Sequence, residues 1–161
     1  MATPSNWTWA GDPADGRAII VDVDGVIADA MHRQHYLDGA RRDWRGFFGA
    51  CDEDPPIDSL IRFVALLTDD MTVVLLTARP YYVHAKTVDW LERHAVRWDL
   101  LVMRGRGHER LSSAGFKKRS VAELVDHGLT IEVALDDDLN NIEMYQSEGI
   151  PAVYIHSGYY D

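Results

Sequence analysis

Residues 18 to 29 read Ala-Ile-Ile-Val-Asp-Val-Asp-Gly-Val-Ile-Ala-Asp. Four apolar residues lead directly into Asp22, so the pattern predicts a strand that is buried on both faces and ends at two carboxylates, Asp22 and Asp24. Gly25 then allows the backbone to turn sharply. Two carboxylates this close repel each other, and a hard divalent cation relieves the repulsion. The stretch indicates a metal-assisted site, although an acidic turn without function contains the same residue types.

The rest of the chain alternates between strands and helices. Apolar runs predict four further strands, at residues 72–77, 99–103, 131–135 and 151–155. Amphipathic segments predict helices at residues 58–67, 81–95, 116–127 and 140–148. Such alternation is typical of a parallel sheet with helices on both faces. We therefore predict an α/β fold, a Rossmann-like three-layer sandwich with a five-stranded parallel sheet and a small insertion after the first strand.

Two segments fall outside this alternation. Residues 1–16 lack periodicity and predict an N-terminal tail on a domain spanning 17–161, with Trp7 and Trp9 packed against the fold's own surface. Residues 28–57 predict a small, helical, cap-like insertion, too short to be an independent cap domain. Its arginines are candidates for contacting a substrate, namely Arg33, Arg41, Arg42 and Arg45. The nearby His32 and His35 lack a third imidazole or thiolate, which favours surface or hydrogen-bonded roles over a metal site.

Composition restricts the class of protein. The 161 residues are 47% hydrophobic, as in ordinary globular domains, and the formal net charge is −10. The negative charge argues against a broad electrostatic grip on nucleic acid, but it allows a local basic channel. A single cysteine, Cys51, excludes an intrachain disulfide, and no leader pattern or long apolar run is present. We predict a cytoplasmic protein without membrane contact; no feature predicts its oligomeric state.

Polar residues follow several of the predicted strands. The second strand ends in Thr77-Ala78-Arg79, and the fourth is followed by the acids Asp136, Asp137 and Asp138. Because the carboxyl ends of parallel strands meet at one edge of a sheet, these residues should converge on Asp22 and Asp24 in one crevice.

These stretches resemble the four motifs of the haloacid dehalogenase (HAD) superfamily of phosphotransferases. The matching stretches are Asp22-Val23-Asp24-Gly25-Val26, Leu75-Leu76-Thr77, Lys117 and Ala134-Leu135-Asp136-Asp137. The resemblance implies a phosphatase in which Asp22 is the nucleophile and Asp24 a general acid and then a base. It implies that phosphate is bound by Thr77, Ala78, Arg79 and Lys117. It also implies Mg²⁺ bound by Asp22, Asp24 through its backbone carbonyl, Asp136 and Asp137. Lys118 is an equally basic rival of Lys117 that spacing does not separate.

A narrower resemblance covers residues 134–145 and Ser157-Gly158. These stretches are similar to the phosphatase domain of phage polynucleotide kinase-phosphatase, with Val26 and Asp138 where that domain has Thr and Arg. The resemblance implies hydrolysis of a nucleic-acid 3′-phosphate or a nucleotide, and a small insertion should leave the crevice open to a polymer end. Basic residues could follow a phosphate backbone or form a solvated loop, namely Arg104, Arg106, His108, Arg110, Lys118 and Arg119. The alternatives are a phosphatase of another small phosphometabolite and a non-catalytic phosphate-binding, metal-binding or receiver-like module.

Overall fold

The computed structural model describes residues 2–161, so Met1, the first residue of the predicted tail, lies outside it. Six strands form one sheet: β1 (Trp7–Trp9), β2 (Gly16–Val21), β3 (Thr72–Pro80), β4 (Leu100–Arg104), β5 (Leu129–Asp136) and β6 (Ala152–Tyr154). Their order is β1-β4-β3-β2-β5-β6. Strands β2 to β6 are parallel, and β1 pairs antiparallel with β4 at one edge. The predicted Rossmann-like α/β class is confirmed, with six strands where five were predicted.

The sixth strand comes from the segment predicted to be a tail. Trp7 and Trp9 pair with Val102 and Leu100 of β4. The Trp7 ring is buried in the apolar cluster on one face of the sheet, and Trp9 packs against the same cluster. A strand of three residues is too short to show alternation, so no periodic signal in the sequence indicates it.

Helices cover both faces of the sheet: α1 (Trp44–Gly49), α2 (Asp58–Ala65), α3 (His84–Arg93), α4 (Ser113–His127) and α5 (Leu139–Ser147). Along β2, Ile19 and Val21 enter one apolar cluster, and Ala18 and Ile20 enter the other. Successive strand residues point to opposite faces, so a strand covered on both sides must be apolar throughout. Within residues 2–161, no helix combines the length and apolarity needed to cross a membrane.

The insertion, residues 28–57, forms a compact segment beside the carboxyl end of β2. Its two ends pair with the neighbouring backbone, because Asp29 N donates to Pro55 O at 2.8 Å and Ile57 N donates to Ile27 O at 2.8 Å. Between them lie a 3₁₀ helix (Met31–Leu37), α1 and a second 3₁₀ turn (Cys51–Glu53). Both ends of the insertion are therefore held beside the end of β2, where Asp22 and Asp24 lie.

Candidate active site

Three carboxylates meet at the carboxyl edge of the sheet. Asp22 follows β2, Asp136 ends β5 and Asp137 comes next; because β2 and β5 are parallel neighbours, these ends lie side by side. One oxygen of each carboxylate lies within 4.8 Å of the others, and all three residues are buried. Residues far apart in the sequence are thus brought together by strand order.

The three buried carboxylates repel one another. Burial raises the pKa of Asp22 well above its usual range; Lys117 opposes this shift, and Asp136 and Asp137 add to it. Burial also raises the pKa of Asp137 to about 6, although contact with Ser157 lowers it. Asp137 Oδ2 is buried and has no hydrogen-bond partner among residues 2–161. Clustered carboxylates with an unpaired buried oxygen are a suitable ligand set for a hard divalent cation.

Lys117 lies inside the cluster and Lys118 outside it. Lys117, in the first turns of α4, is buried; its Nζ lies 3.0 Å from Asp22 Oδ1 and donates to Asp136 Oδ2 at 2.6 Å. Burial alone would lower the pKa of Lys117, but Asp136 and Asp22 raise it well above the usual value. The Lys118 side chain is 62% exposed and pairs with Glu148 at 3.2 Å. The structure thus separates two lysines that sequence spacing could not.

Asp136 is fixed by contacts that the sequence analysis missed. Asn141 Nδ2 donates to both carboxylate oxygens of Asp136, at 3.1 and 3.2 Å, and Asp138 N donates to Oδ1 at 3.0 Å. The Asp138 side chain accepts from Asn140 N at 2.9 Å and caps α5. The third acid of the run is therefore a helix cap, a common position for aspartate, and does not join the cluster.

The Asp24 side chain points away from the three carboxylates toward two arginines. Arg79 Nη2 donates to Asp24 Oδ1 at 2.7 Å and to Asp54 Oδ2 at 3.0 Å. Arg33 Nη2 donates to Asp24 Oδ1 at 2.6 Å and to Asp54 Oδ2 at 2.7 Å. Burial would raise the pKa of Asp24, but Arg79 and Arg33 outweigh it and lower the pKa to about 2. The Asp24 carboxylate is thus engaged by arginines, and a metal contact through its backbone carbonyl stays a prediction.

The guanidinium groups of Arg33 and Arg79 are both held by carboxylates. Arg33 was a candidate for contacting substrate, but the structure buries it fully, with its guanidinium bound to two carboxylates. Arg79 is also fully buried, and its Nη1 donates to Thr87 Oγ1 at 3.2 Å. Direct phosphate binding by the Arg79 guanidinium stays a prediction. Of the other insertion arginines, Arg42 lines the cavity described below, and Arg45 lies over the Tyr82 ring at 5.9 Å.

The ion pairs of Asp24 with Arg33 and Arg79 should make the free energy of unfolding depend on pH. The pKa of Asp24 is about 2 when folded and about 3.8 in its ordinary state, so the pairs contribute stability above that higher value, and the contribution is lost as pH falls through 2. The contribution should be about 2 kcal/mol. In urea unfolding without metal, the stability difference between wild type and Asp24→Asn should shrink as the medium is acidified toward the lower pKa. A difference that stays constant with pH would contradict this.

Thr77 and Ala78 lie near the carboxyl end of β3, the strand next to β2, and line the same cavity as Asp22. Thr77 is 1% exposed, and its Oγ1 accepts a hydrogen bond from Arg79 N at 3.1 Å. The hydroxyl accepts that bond, so its own hydrogen remains available for an oxygen in the cavity. Both residues line the same cavity as Asp22, Asp24 and Lys117.

The cavity has a volume of about 840 Å³, which is in the range of small-molecule sites. The insertion contributes Met31, Trp44 and Phe48 to its wall, and the C-terminal segment contributes residues 158–160. Tyr159 Oη accepts from Ala30 N at 2.6 Å and donates to Asp29 Oδ1 at 3.0 Å. The C-terminal segment is thereby tied to the start of the insertion, a contact that no local sequence pattern indicated.

The basic run after β4 is an ordered loop. Arg104 Nη1 donates to the carbonyls of His108 and Leu111 at 2.8 and 2.7 Å, and its guanidinium lies over the Phe116 ring. His108 is buried and accepts from Gly105 N at 3.1 Å. Arg104 lines the cavity, whereas Arg106 and Arg110 are exposed. Arg104 and His108 therefore organise the loop, and the other two remain accessible to solvent.

Gly25 is required by the site's geometry. Its φ is +81°, and a Cβ there would lie 2.7 Å from Asp137 Cγ. We expect Gly25→Ala to lower stability by about 1–2 kcal/mol from backbone strain alone, and to displace Asp137. Thermal unfolding would measure the loss of stability, and Mg²⁺ titration would measure the effect of displacing Asp137. The control is Gly11→Ala, since a Cβ at Gly11 would meet no atom of residues 2–161 within 4 Å. Mg²⁺ binding by Gly25→Ala as tight as in wild type would contradict the displacement.

Comparison with known proteins finds a matching family and similar folds. Residues 16–160 match the family model of the polynucleotide kinase PNKP phosphatase domain. A search of curated proteins finds no match. The fold is similar to a chain in the Pnkp1/Rnl/Hen1 RNA repair complex, at 22% identity and a TM-score of 0.72, covering 97% of this chain and 48% of that one. It is also similar to a haloacid dehalogenase-like hydrolase of Streptococcus pneumoniae, at 12% identity and a TM-score of 0.55, covering 88% and 87%.

The family match thus places the chain among the phosphatases of the HAD superfamily. Within that superfamily, the chain belongs to the family of polynucleotide kinase PNKP phosphatase domains, whose model covers nearly its whole length. The chain spans about half the length of the Pnkp1 complex chain that it resembles.

Proposed function

We propose that this protein is a Mg²⁺-dependent phosphatase that acts through an aspartyl-phosphate intermediate on a nucleic-acid 3′-phosphate or a nucleotide. The observation that carries the proposal is the position of Asp22. Its carboxylate lies in the cavity beside Lys117 and the two other acids, and Thr77 of the neighbouring strand lines the same cavity. A carboxylate nucleophile needs nearby positive charge to approach a phosphate, and Lys117 together with a bound cation would provide it.

The first half-reaction follows from these contacts. An Asp22 oxygen attacks phosphorus, forming the O–P bond of the aspartyl phosphate while the bond to the leaving oxygen breaks. Lys117, held charged by Asp22 and Asp136, and the Thr77 hydroxyl bind the phosphoryl oxygens. Phosphoryl transfer requires mainly positioning and charge stabilisation, and these groups supply both.

The metal would be bound by Asp22, Asp137 and the backbone carbonyl of Asp24, with Asp136 supporting the cluster. The raised pKa values of Asp22 and Asp137, and the buried Asp137 Oδ2 left unpaired within residues 2–161, support a cation at this position. When bound, Mg²⁺ supplies positive charge to these acids and polarises the phosphoryl group.

Asp24 transfers the proton in this proposal. It gives a proton to the leaving oxygen and later takes one from the water that hydrolyses the aspartyl phosphate. The arginines favour its carboxylate form, which suits the second step directly. In the first step the approaching phosphate carries negative charge, which shifts the pKa of Asp24 upward again.

The preference for nucleic acid is supported by the family and by the cavity. The family model is named for polynucleotide kinase phosphatase domains, and the cavity wall contains exposed Trp44, on which a base could stack. The exposed Arg106 and Arg110 lie just beyond Arg104, where they could contact a phosphate backbone. A cytoplasmic location belongs to the same proposal, since the free Cys51 thiol suits a reducing compartment.

A panel of substrates with added Mg²⁺ tests the proposal: a 3′-phosphorylated oligonucleotide, a 3′-nucleotide, sugar phosphates and p-nitrophenyl phosphate. We expect the oligonucleotide to have the highest kcat/KM, with a dependence on salt because phosphate contacts release counterions. The double variant Arg106→Ala with Arg110→Ala should lower kcat/KM for the oligonucleotide and leave kcat/KM for sugar phosphates unchanged. The control is Arg17→Ala, because Arg17 is exposed and lies near the start of β2, at the end of the strands opposite the site.

The outcomes separate the alternatives. Equal or faster hydrolysis of sugar phosphates would favour a phosphatase of small phosphometabolites and contradict the nucleic-acid preference. Binding of phosphate and Mg²⁺ without turnover of any substrate would favour a non-catalytic or receiver-like module.

A further inference from the structure

The C-terminal segment, which follows β6, runs from the acidic cluster to the insertion. At its start, Ile155 N donates to the Asp136 carbonyl at 2.9 Å. The Ser157 side chain contacts Asp137, one of the three clustered acids. The segment is therefore anchored beside the proposed metal site before it enters the cavity wall.

Tyr159 anchors the same segment to the insertion. The chain turns at Gly158, whose φ is +85°, and Tyr159 then reaches the start of the insertion. Its hydroxyl accepts from Ala30 N at 2.6 Å and donates to Asp29 Oδ1 at 3.0 Å. Because the chain is held on both sides of the turn, the residue that comes next, Tyr160, has a defined position in the cavity wall.

Tyr160 places an exposed aromatic ring in that wall. Its backbone lies within a turn, because Asp161 N donates to Gly158 O at 3.5 Å. The residue is 65% exposed and lines the same cavity as Asp22. Partial desolvation raises the pKa of the Tyr160 hydroxyl and the charge of Asp137 raises it further, so the neutral hydroxyl lies within electrostatic reach of the acids. An exposed ring beside the proposed nucleophile is placed to contact the group that carries the phosphate.

We propose that Tyr160 is a specificity-determining residue: its ring stacks on the base of the nucleotide that carries the scissile phosphate, and the bonds of Tyr159 hold it in place. This inference rests on the proposed function and names the part of the substrate that the C-terminal segment recognises. Stacking on an aromatic side chain tolerates any base, because every base has a π face. The segment should therefore select nucleosides over simple alkyl groups without selecting a sequence.

Two substrates with secondary alkoxide leaving groups test the proposal: adenosine 3′-monophosphate, which has a base, and glycerol 2-phosphate, which has none. In Tyr160→Ala, we expect kcat/KM for the nucleotide to fall about tenfold or more, mainly through KM, because stacking is lost. The value for glycerol 2-phosphate should stay within about twofold of wild type, since both substrates use the same acids and metal. Tyr160→Phe retains the ring and should restore the nucleotide value.

Tyr159→Phe tests the anchor. The variant keeps the ring of Tyr159 and removes its bonds to Ala30 N and Asp29, so Tyr160 should lose its defined position. We expect the same selective loss on adenosine 3′-monophosphate, by a smaller factor. The matched control is Tyr82→Ala, because Tyr82 is 62% exposed, close to the exposure of Tyr160, and lies outside the cavity lining. It should leave both substrates at their wild-type values.

The outcomes separate recognition of the base from a structural role. Equal losses on the two substrates in Tyr160→Ala would show that Tyr160 only supports the fold, and would overturn the proposal. A Tyr160→Phe variant as impaired as Tyr160→Ala would also overturn it, because the ring would then not be the group that recognises the nucleotide.

A binding measurement does not depend on turnover. In an Asp22→Asn background, isothermal titration calorimetry would compare adenosine 3′-monophosphate with inorganic phosphate. Adding Tyr160→Ala should weaken binding of the nucleotide and leave that of phosphate unchanged. If the wild type hydrolyses neither substrate, the proposed function fails, and a selective loss of nucleotide binding would still support the base contact. Equal nucleotide affinity with and without the Tyr160 ring would overturn the contact itself.

Discussion

Asp22→Asn is expected to abolish phosphatase activity, with a loss of more than about a thousandfold in kcat on every substrate. An amide is a poor nucleophile toward phosphorus and contributes no negative charge to a metal site. Steady-state hydrolysis of p-nitrophenyl phosphate and of the preferred substrate measures the loss. Trapping of a phosphorylated protein, present in wild type and absent from the variant, would identify Asp22 as the site of attachment.

Thermal unfolding distinguishes this loss from misfolding. Burial and crowding by Asp136 and Asp137 raise the pKa of Asp22, so its charged form destabilises the metal-free fold. Asp22→Asn should therefore melt no lower than wild type without metal, and Mg²⁺ should stabilise it less. The control is Asp70→Asn, which removes the same charge from an exposed side chain. Substantial turnover by Asp22→Asn would remove Asp22 from the mechanism.

Lys117→Ala should produce the second large effect, on both activity and stability. Removing Nζ leaves Asp22 and Asp136 without their shared cation in a buried site, a change that typically costs about 3–5 kcal/mol. It also removes the positive charge proposed to bind the phosphoryl group, so kcat/KM should fall by about a hundredfold or more. Inhibition by inorganic phosphate should weaken in parallel, and chemical denaturation would measure the stability loss.

Lys118→Ala is the matched control because it removes the same side chain from the next position. Lys118 is mostly exposed and pairs with Glu148, so its loss should change stability by less than about 1 kcal/mol and leave activity near wild type. An equal or larger loss of activity in Lys118→Ala would transfer the phosphate-binding role to that residue.

Asp22 and Asp24 have different partners in the structure, and their pKa values shift in opposite directions. The sequence presents Asp22 and Asp24 as a pair that a single cation would neutralise. In the structure they face different partners: Asp22 faces a lysine and two carboxylates, whereas Asp24 faces two arginines. Burial and acidic neighbours raise the pKa of Asp22, whereas the two arginines lower that of Asp24, so the two acids do not act as one pair.

The sequence by itself determined the α/β class and the end of the sheet where the site lies. Apolar runs that end in acids mark strands buried on both faces, and the carboxyl ends of parallel strands must meet. This local information was sufficient to predict that Asp22, Thr77 and Asp136 would converge, and the resemblance added Lys117; the structure brings all four together.

Only the tertiary structure decided which groups face each other. Adjacent lysines are equivalent in sequence, and the packing of α4 buries one and exposes the other. Arg33 and Asp54 lie in a segment without clear periodicity, and their partners Asp24 and Arg79 are placed by strand order. β1 and the C-terminal segment likewise gain their positions from β4 and from Asp29. Such contacts join residues distant in the chain, so their energy depends on the assembled fold, whereas strand and helix patterns depend on near neighbours.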